Sequence, residues 1–341
     1  MSLVFADGFD TYGNILDLWD ILGGDVSIRL DSPTKARTPP GYLQINSGAF
    51  GPTKTFGHLQ YVLAATNWNS STSGYVFGLS NLDADNGFNG VSVSIKVLLD
   101  GNVQVERHPA GGGSVLGTTA TPGLVPFGSY SSIAMQVFCS ATIGTVVVWV
   151  NGVIVLNLSG VNTTHTGRPD LLYYNAVQLL GPGGLPTLYH DDFYLLDCLT
   201  PPNTTFLGAL KLYSLAPTAN SSVGWVPLVG TNWSEVNEVP PDGDTSYVFS
   251  GNVGDLDQYV YPLTGIPANS SIAFLQHMLD MEVDSGSRSV ASVLQSSAPH
   301  NPIALTTGYH IYVTPYDTQP GGSLIWTPAV FPITAGPKVT A

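Results

Sequence analysis

Charge is what this sequence has least of. Only 10% of its 341 residues are charged, and of these 24 are acidic and 10 basic. No run of Lys or Arg occurs, so the chain lacks a stripe with which to neutralise nucleic-acid phosphates. A net charge of −14 also sets it against an anionic membrane surface. Long apolar runs are missing as well, and none approaches the ~20 residues that a membrane-spanning helix needs. Cysteine is nearly absent. Cys139 and Cys198 are the only two, too few for a disulfide framework, and buried free thiols are favoured over a bridge between strands. The opening Met-Ser-Leu-Val-Phe-Ala-Asp-Gly carries neither the basic nor the long apolar region of an export signal.

What the chain has is punctuation. Its 38 Gly and 25 Pro break up short β-branched and aromatic runs, while 43% hydrophobic content with 16 Tyr and 13 Phe excludes disorder. The expected fold is all-β, two jelly-roll-like β-sandwich domains in tandem, over residues 1–199 and 200–341. The break at Thr200-Pro201-Pro202-Asn203-Thr204 marks the boundary. A short helix is expected over Ile15, Leu18, Trp19 and Leu22, and strands over 26–30, 42–46 and 55–64. In Val91, Val93, Ile95 and Val97 one face is apolar, with Ser92, Ser94 and Lys96 on the other. Asp100-Gly101 and Asn151-Gly152 predict tight hairpins, because both pairs tolerate the positive φ of two-residue turns. Further strands are expected over 289–295 and 309–313.

Candidate chemistry is sparse. Asp280, Glu282 and Asp284 alternate along an expected strand and would share one face; paired carboxylates serve glycosidases, but a solvated strand face explains them as well. His190 beside Asp191 and Asp192 suggests acid-base work, yet no triad spacing accompanies it. Gly111-Gly112-Gly113 is not followed by Lys-Ser/Thr and reads as a loop, not a phosphate cradle. No catalytic residue is therefore assigned. Asp242, Asp244, Asp255 and Asp257, with Glu238 nearby, offer hard oxygen ligands for calcium from adjacent turns, although Asp in turns also bonds its own backbone. No other cofactor is expected. Tyr173, Tyr174, Trp225, Trp233, Tyr259 and Tyr261 suit a sugar-stacking platform, and suit a core or a subunit interface better.

Two stretches carry resemblances. The order strand, strand, Trp149-Val150-Asn151-Gly152 turn, strand, then His190-Asp191-Asp192-Phe193-Tyr194-Leu195-Leu196 resembles the late half of concanavalin-like or laminin-G-like jelly rolls, over roughly residues 1–198. The block from Trp233 to Tyr261, WSEVNEVPPDGDTSYVFSGNVGDLDQY, resembles a family of tailed-bacteriophage virion structural proteins. The tail of the chain is similar to theirs too, but its Asp317-Thr318-Gln319-Pro320-Gly321-Gly322 turn departs from their wording. This resemblance implies a non-enzymatic virion protein of the tail or a tail-associated fibre, made in the bacterial cytoplasm and working by assembly with other virion proteins. A homo-oligomer, with a trimer as the first expectation, follows by the same analogy. The alternatives are a protein decorating the capsid exterior and a carbohydrate-binding module that contacts a host-surface glycan.

Overall fold

Alternation along the strands becomes two-faced sheets. Val91, Val93, Ile95 and Val97 are all buried, and each such side chain removed from water is worth ~1.5–3 kcal/mol. The computed structural model describes residues 3–12, 14–20, 25–29, 41–47, 50–83, 91–108, 113–165, 167–181, 187–295, 297–320 and 324–341. Gly111-Gly112, Leu22 and the Gly321-Gly322 turn lie outside the described residues. Two units make up the chain, one of Ser2–Phe9 with Asn14–Leu212, the other of Tyr213–Ala341 with Asp10–Gly13. Both are all-β, and no α-helix occurs among the described residues.

The first unit is a sandwich of two antiparallel sheets. Its strands are β1 (Leu3–Asp7), β2 (Asp25–Arg29), β3 (Tyr42–Ser47), β4 (Phe50–Leu59), β5 (Tyr61–Ser70), β6 (Gly74–Ser80) and β7 (Val91–Val97). They continue with β8 (Val103–Arg107), β9 (Ser114–Thr118), β10 (Ser131–Phe138), β11 (Gly144–Val150), β12 (Val153–Val161), β13 (Tyr174–Leu180) and β14 (Leu188–Asp197). One sheet runs β12-β11-β10-β5-β14-β3-β2 with β1 added on β14, and the other runs β4-β13-β6-β7-β8-β9. The Asn-Gly turn joins β11 to β12 with φ of 50° at Asn151 and 86° at Gly152, and Gly101 turns the β7–β8 hairpin at φ 76°.

Two expectations need correction. The run over 55–64 is not one strand: it breaks at Gln60, between β4 in one sheet and β5 in the other. The expected helix is a single 3-10 turn at Ile15–Asp17, whose first turn is capped by Asn14 Oδ1 accepting from the Leu16 N–H. Ile15, Leu18 and Trp19 are nonetheless buried. The Trp19 indole N–H donates to Asp7 Oδ2 at 2.6 Å and its ring meets Phe5 edge-on at 5.4 Å.

Residues 200–212 run along the first unit. Gln136 Nε2 donates to the Thr204 carbonyl, Phe206 stacks on Trp149 at 5.4 Å, and the Tyr194 hydroxyl donates to the Gly208 carbonyl. The Leu212 N–H then reaches Asp192 Oδ1 at 2.7 Å. The Pro201-Pro202 break thus falls inside this unit.

In the second unit the strands are β15 (Ala219–Ser222), β16 (Val226–Pro227), β17 (Val248–Phe249), β18 (Gln258–Tyr261), β19 (Leu275–Met281), β20 (Ser289–Leu294), β21 (Ile303–Ala304), β22 (His310–Tyr316) and β23 (Ile333–Val339). A five-stranded sheet runs β15-β18-β23-β20-β21, while β16–β17 and β19–β22 form two-stranded ribbons. The β19–β22 ribbon packs over the sheet. Leu275 and Tyr316 rest on Leu294, Trp326 and Ile333, and Leu279 and Met281 rest on Trp225, Val290 and Val339.

Cys139 and Cys198 are buried and free, as the sequence reading favoured. Burial pushes each thiol up to about 11, which suppresses the reactive thiolate. Native protein should therefore react slowly with a thiol reagent at pH 8, and unfolded protein should titrate both thiols equally with and without prior reduction. Release of thiols only after reduction would show a bridge.

Candidate functional site

The face of the six-stranded sheet opposite its apolar residues carries a continuous polar row. Thr53 pairs with Gln178, Gln178 with Gly78, Gly78 with Ser94, and Ser94 with Glu106, so these five residues of adjacent strands share one face. Thr53, Gln178, Ser94 and Glu106 are all buried although they point away from the core. Gly78 sits at the middle because a Cβ there would lie 2.5 Å from Val91 Cγ1. Beside the row, Lys96 pairs with Tyr75 on one side and Gln104 on the other.

These side chains answer one another. The Tyr75 hydroxyl donates to Glu106 Oε2 at 2.8 Å, and Lys96 Nζ lies 3.8 Å from Glu106 Oε1 and 4.8 Å from the centre of the Tyr75 ring. His108 Nε2 shares a hydrogen bond with Ser94 Oγ at 2.5 Å and lies 3.8 Å from Glu106 Oε2. Ser92, at the register shift between Val91 and Val93, is fully buried and its Oγ has no partner. Burial, then the bond to Glu106, pushes the Tyr75 phenol up to about 12, so it remains a donor. Burial lowers His108, with Lys96 adding to the effect and Glu106 opposing it; the ring is neutral at neutral pH. The face therefore offers an aromatic ring, a cation, a carboxylate and hydroxyl groups within reach of one ligand, a set that suits a hydroxyl-rich molecule.

Sequence reasoning saw the Ser92, Ser94 and Lys96 face but missed Tyr75, Glu106 and His108. A signal for two of them existed. The Asp100-Gly101 turn fixes the β7–β8 register, which sets Lys96 opposite Gln104 and Ser94 opposite Glu106, two residues before His108.

The six aromatic candidates do not form one platform. Tyr174 is fully buried and donates to the Thr163 carbonyl at 2.7 Å. Tyr173, its neighbour, stays half-buried, stacks on His58 at 3.9 Å and donates to Asp83 Oδ2 at 2.8 Å. Trp225 and Tyr259 are buried, and Tyr261 packs against the Trp326 core. Trp233 is half-buried in a 3-10 turn, its backbone N–H donating to Asn220 Oδ1.

The calcium candidates Asp242, Asp244, Asp255 and Asp257 each accept hydrogen bonds from the protein. No three His, Cys, Asp or Glu side chains gather as metal ligands among the described residues. Each carboxylate answers local donors instead. Asp242 accepts from the Ser246 N–H and hydroxyl, Asp244 from the Tyr309 hydroxyl, and Asp255 from Ser250 and Asn252. Asp257 is fully buried and accepts from the Gly224 N–H, Asn232 Nδ2 and the Tyr259 hydroxyl. Glu238 accepts from Ser246 as well. Glu282 and Asp284 lie past the end of β19, so they do not continue a strand face with Asp280.

His190 is a core residue. It is fully buried, its Nδ1 lies 3.4 Å from Thr66 Oγ1, and burial brings its pKa down to about 3. His277 in the second unit is similar: its Nδ1 shares a 2.6 Å hydrogen bond with Ser292 Oγ, and burial lowers it to about 4.

No family model matches the chain, and no curated protein matches it. Among solved structures, it is similar to an endo-β-1,4-glucuronan lyase from the fungus Trichoderma reesei, at 14% identity and a TM-score of 0.40, over 57% of this chain and 95% of that one. It is also similar to the alginate lyase vAL-1 from Chlorella virus, at 11% identity and a TM-score of 0.37, over 53% and 93%. A third is the carbohydrate-binding module CBM66 from Bacillus subtilis, at 12% identity and a TM-score of 0.33, over 45% and 86%.

Two outcomes follow from these groups. Asp257→Ala strands two buried donors, Asn232 Nδ2 and the Tyr259 hydroxyl, besides the Gly224 N–H, and should cost the second unit about 3–5 kcal/mol. Its thermal transition should drop sharply, by the same amount with calcium or with chelator; a calcium-dependent difference would revive the metal reading. Acid should also weaken both units. The unfolded histidines take a proton near pH 6.5, but folded His190 and His277 do so only near 3 and 4, so stability falls as pH drops below about 6.5. At pH 5 each contributes roughly 2 kcal/mol of loss. Melting curves from pH 7 to 5 should flatten for the second unit in His277→Gln, and an unchanged slope would refute this source.

Proposed function

We propose that the chain is a structural component of a tailed-bacteriophage virion, seated on the tail or a tail-associated fibre. Its jelly-roll unit binds a surface glycan without cleaving it. The observation that carries the glycan reading is the buried polar row of the six-stranded sheet, where Tyr75, Lys96, Glu106 and His108 meet. Hydroxyls of a pyranose can donate to Glu106 and His108 and accept from Lys96, while its apolar ring face rests on an aromatic. The virion reading is supported by the Trp233–Tyr261 block and its resemblance to phage structural proteins. Assembly then proceeds by burial of apolar surface against other virion proteins, with a homotrimer as the expected state.

Binding without cleavage fits the carboxylate chemistry. Hydrolysis of a glycosidic bond ordinarily uses two carboxyl groups about 5–9.5 Å apart. Glu106 is the carboxylate of this row, and Tyr75 and Lys96 already engage its oxygens.

Calorimetric titration with the capsular or lipopolysaccharide glycans of the propagating host tests this. Tyr75→Ala and Lys96→Ala should each weaken binding about tenfold, or ~1.4 kcal/mol, with melting unchanged in the second unit. No binding by the intact chain would remove the glycan reading. Appearance of shorter or unsaturated products would remove the non-enzymatic one. Absence of the chain from purified particles would remove the virion assignment.

A further inference from the structure

A polar atom buried without a hydrogen-bond partner is costly and therefore rare. Nine side-chain atoms of this kind occur among the described residues, and three of them belong to one row. Ser131 pairs with Trp68, Trp68 with His190 and His190 with Leu43, so neighbouring residues of β10, β5, β14 and β3 share one face. The other face of β5 carries Asn67, whose Nδ2 donates to the Leu210 carbonyl of the segment that runs along the outside of this sheet. The row therefore looks into the sandwich, toward the six-stranded sheet. Within it Ser131 Oγ, Trp68 Nε1 and His190 Nε2 have no partner in the protein, and the three residues are no more than 1% exposed.

The donors and acceptors of the row select what joins them. An indole N–H can only donate, which turns away a cation. The Leu180 carbonyl of β13 stands beside the His190 ring without closing a hydrogen bond to Nε2, and a carbonyl can only accept, which turns away an anion. Burial keeps the ring neutral, and no Lys or Arg belongs to the row. The other ring nitrogen, Nδ1, faces Thr66 Oγ1 at 3.4 Å, while the Ser131 hydroxyl is free to turn and either give or take a proton. The occupant must both donate and accept at one atom, and a close-packed core holds little that is larger. We propose that a single water molecule is built into the core of the first unit, bonded to Trp68 Nε1, Ser131 Oγ and His190 Nε2. It ties β10, β5 and β14 together on their inner face, as their ladders tie them edge to edge. About three bonds to otherwise unsatisfied groups are the ordinary complement of a buried water. Neither the glycan nor the virion reading is needed for this site.

Two measurements on the full chain decide it. In a high-resolution crystal structure, one solvent peak should lie about 2.7–3.2 Å from all three atoms. In solution, the Trp68 indole proton should show a nuclear Overhauser cross-peak to water with the sign of a long-lived contact, because release of the water waits on local opening of the sandwich. The Trp19 indole is the internal control: it is equally buried but donates directly to Asp7, and should show no such peak. Both indole resonances are assigned through their own backbones, so no tryptophan variant has to fold. Ser131→Val, which puts a methyl where the hydroxyl stood, should abolish the solvent peak and the Trp68 cross-peak; the gentler Ser131→Ala should weaken the cross-peak several-fold. A direct bond from Trp68 Nε1 to Ser131 or His190, or apolar contact with no solvent density, would overturn the inference. So would a peak at the ~2.0–2.6 Å distances of a metal ion, a Trp68 cross-peak no stronger than that of Trp19, or indifference of that peak to both Ser131 changes.

Discussion

The constraint on which the rest of the first unit depends is burial on both faces of one sheet. An ordinary sandwich strand hides its apolar side and wets the other. In β7 both sets are hidden, Val93, Ile95 and Val97 on one side and Ser94 on the other, while a register shift turns Val91 toward Gly78. Buried polar groups must satisfy one another or carry a cost of about 1–3 kcal/mol apiece. That requirement organises the surface: Tyr75 answers Glu106, Lys96 answers both, and His108 answers Ser94. On the proposed glycan reading, packing and recognition draw on the same side chains. A ligand exchanging hydrogen bonds with this row meets groups already held in place, which lowers the ordering cost of binding.

The second unit solves a different problem. Its sheet is small, and its long connections carry turns dense in Asp, Ser and Gly. Asp257 holds three of these segments together, through Gly224, Asn232 and Tyr259. Asp242 and Asp255 are bonded to hydroxyls of their own turns, Ser246 and Ser250, and Asp244 to the distant Tyr309 hydroxyl.

Local signals were read correctly where the physics was local. Asn151-Gly152 and Asp100-Gly101 each need positive φ, and both hairpins formed where the dipeptides stand. The alternation in β7 holds from Val93 to Val97 and breaks at a register shift between Val91 and Val93, where Val91 faces Gly78. Gln60 gave no such signal. It has neither Gly nor Pro beside it in the role of a breaker, yet the chain crosses from one sheet to the other there, because the two ten-residue strands on either side are claimed by β13 and by β10 and β14. Tyr173 and Tyr174 show the same limit. Tyr174 opens β13 and is buried, whereas Tyr173, one residue before the strand, stays half-buried against His58. The acidic turns were visible as clusters, but whether carboxylates converge on a cation or turn back to their own backbone depends on neighbours that sequence spacing does not order.

By itself the sequence determined class: all-β, few charges, an acidic balance and the turns that close the hairpins. Each of these follows from composition or from dihedral preferences of adjacent residues. The tertiary structure alone decided the site, since Tyr75, Lys96 and Glu106 lie on three different strands and meet only through ladder register. It also decided that Asp257 is a core hub and that Val226 and Phe249 stay in solvent. Burial is a property of what lies across a sheet, often a hundred residues away in the chain, and no local pattern encodes it.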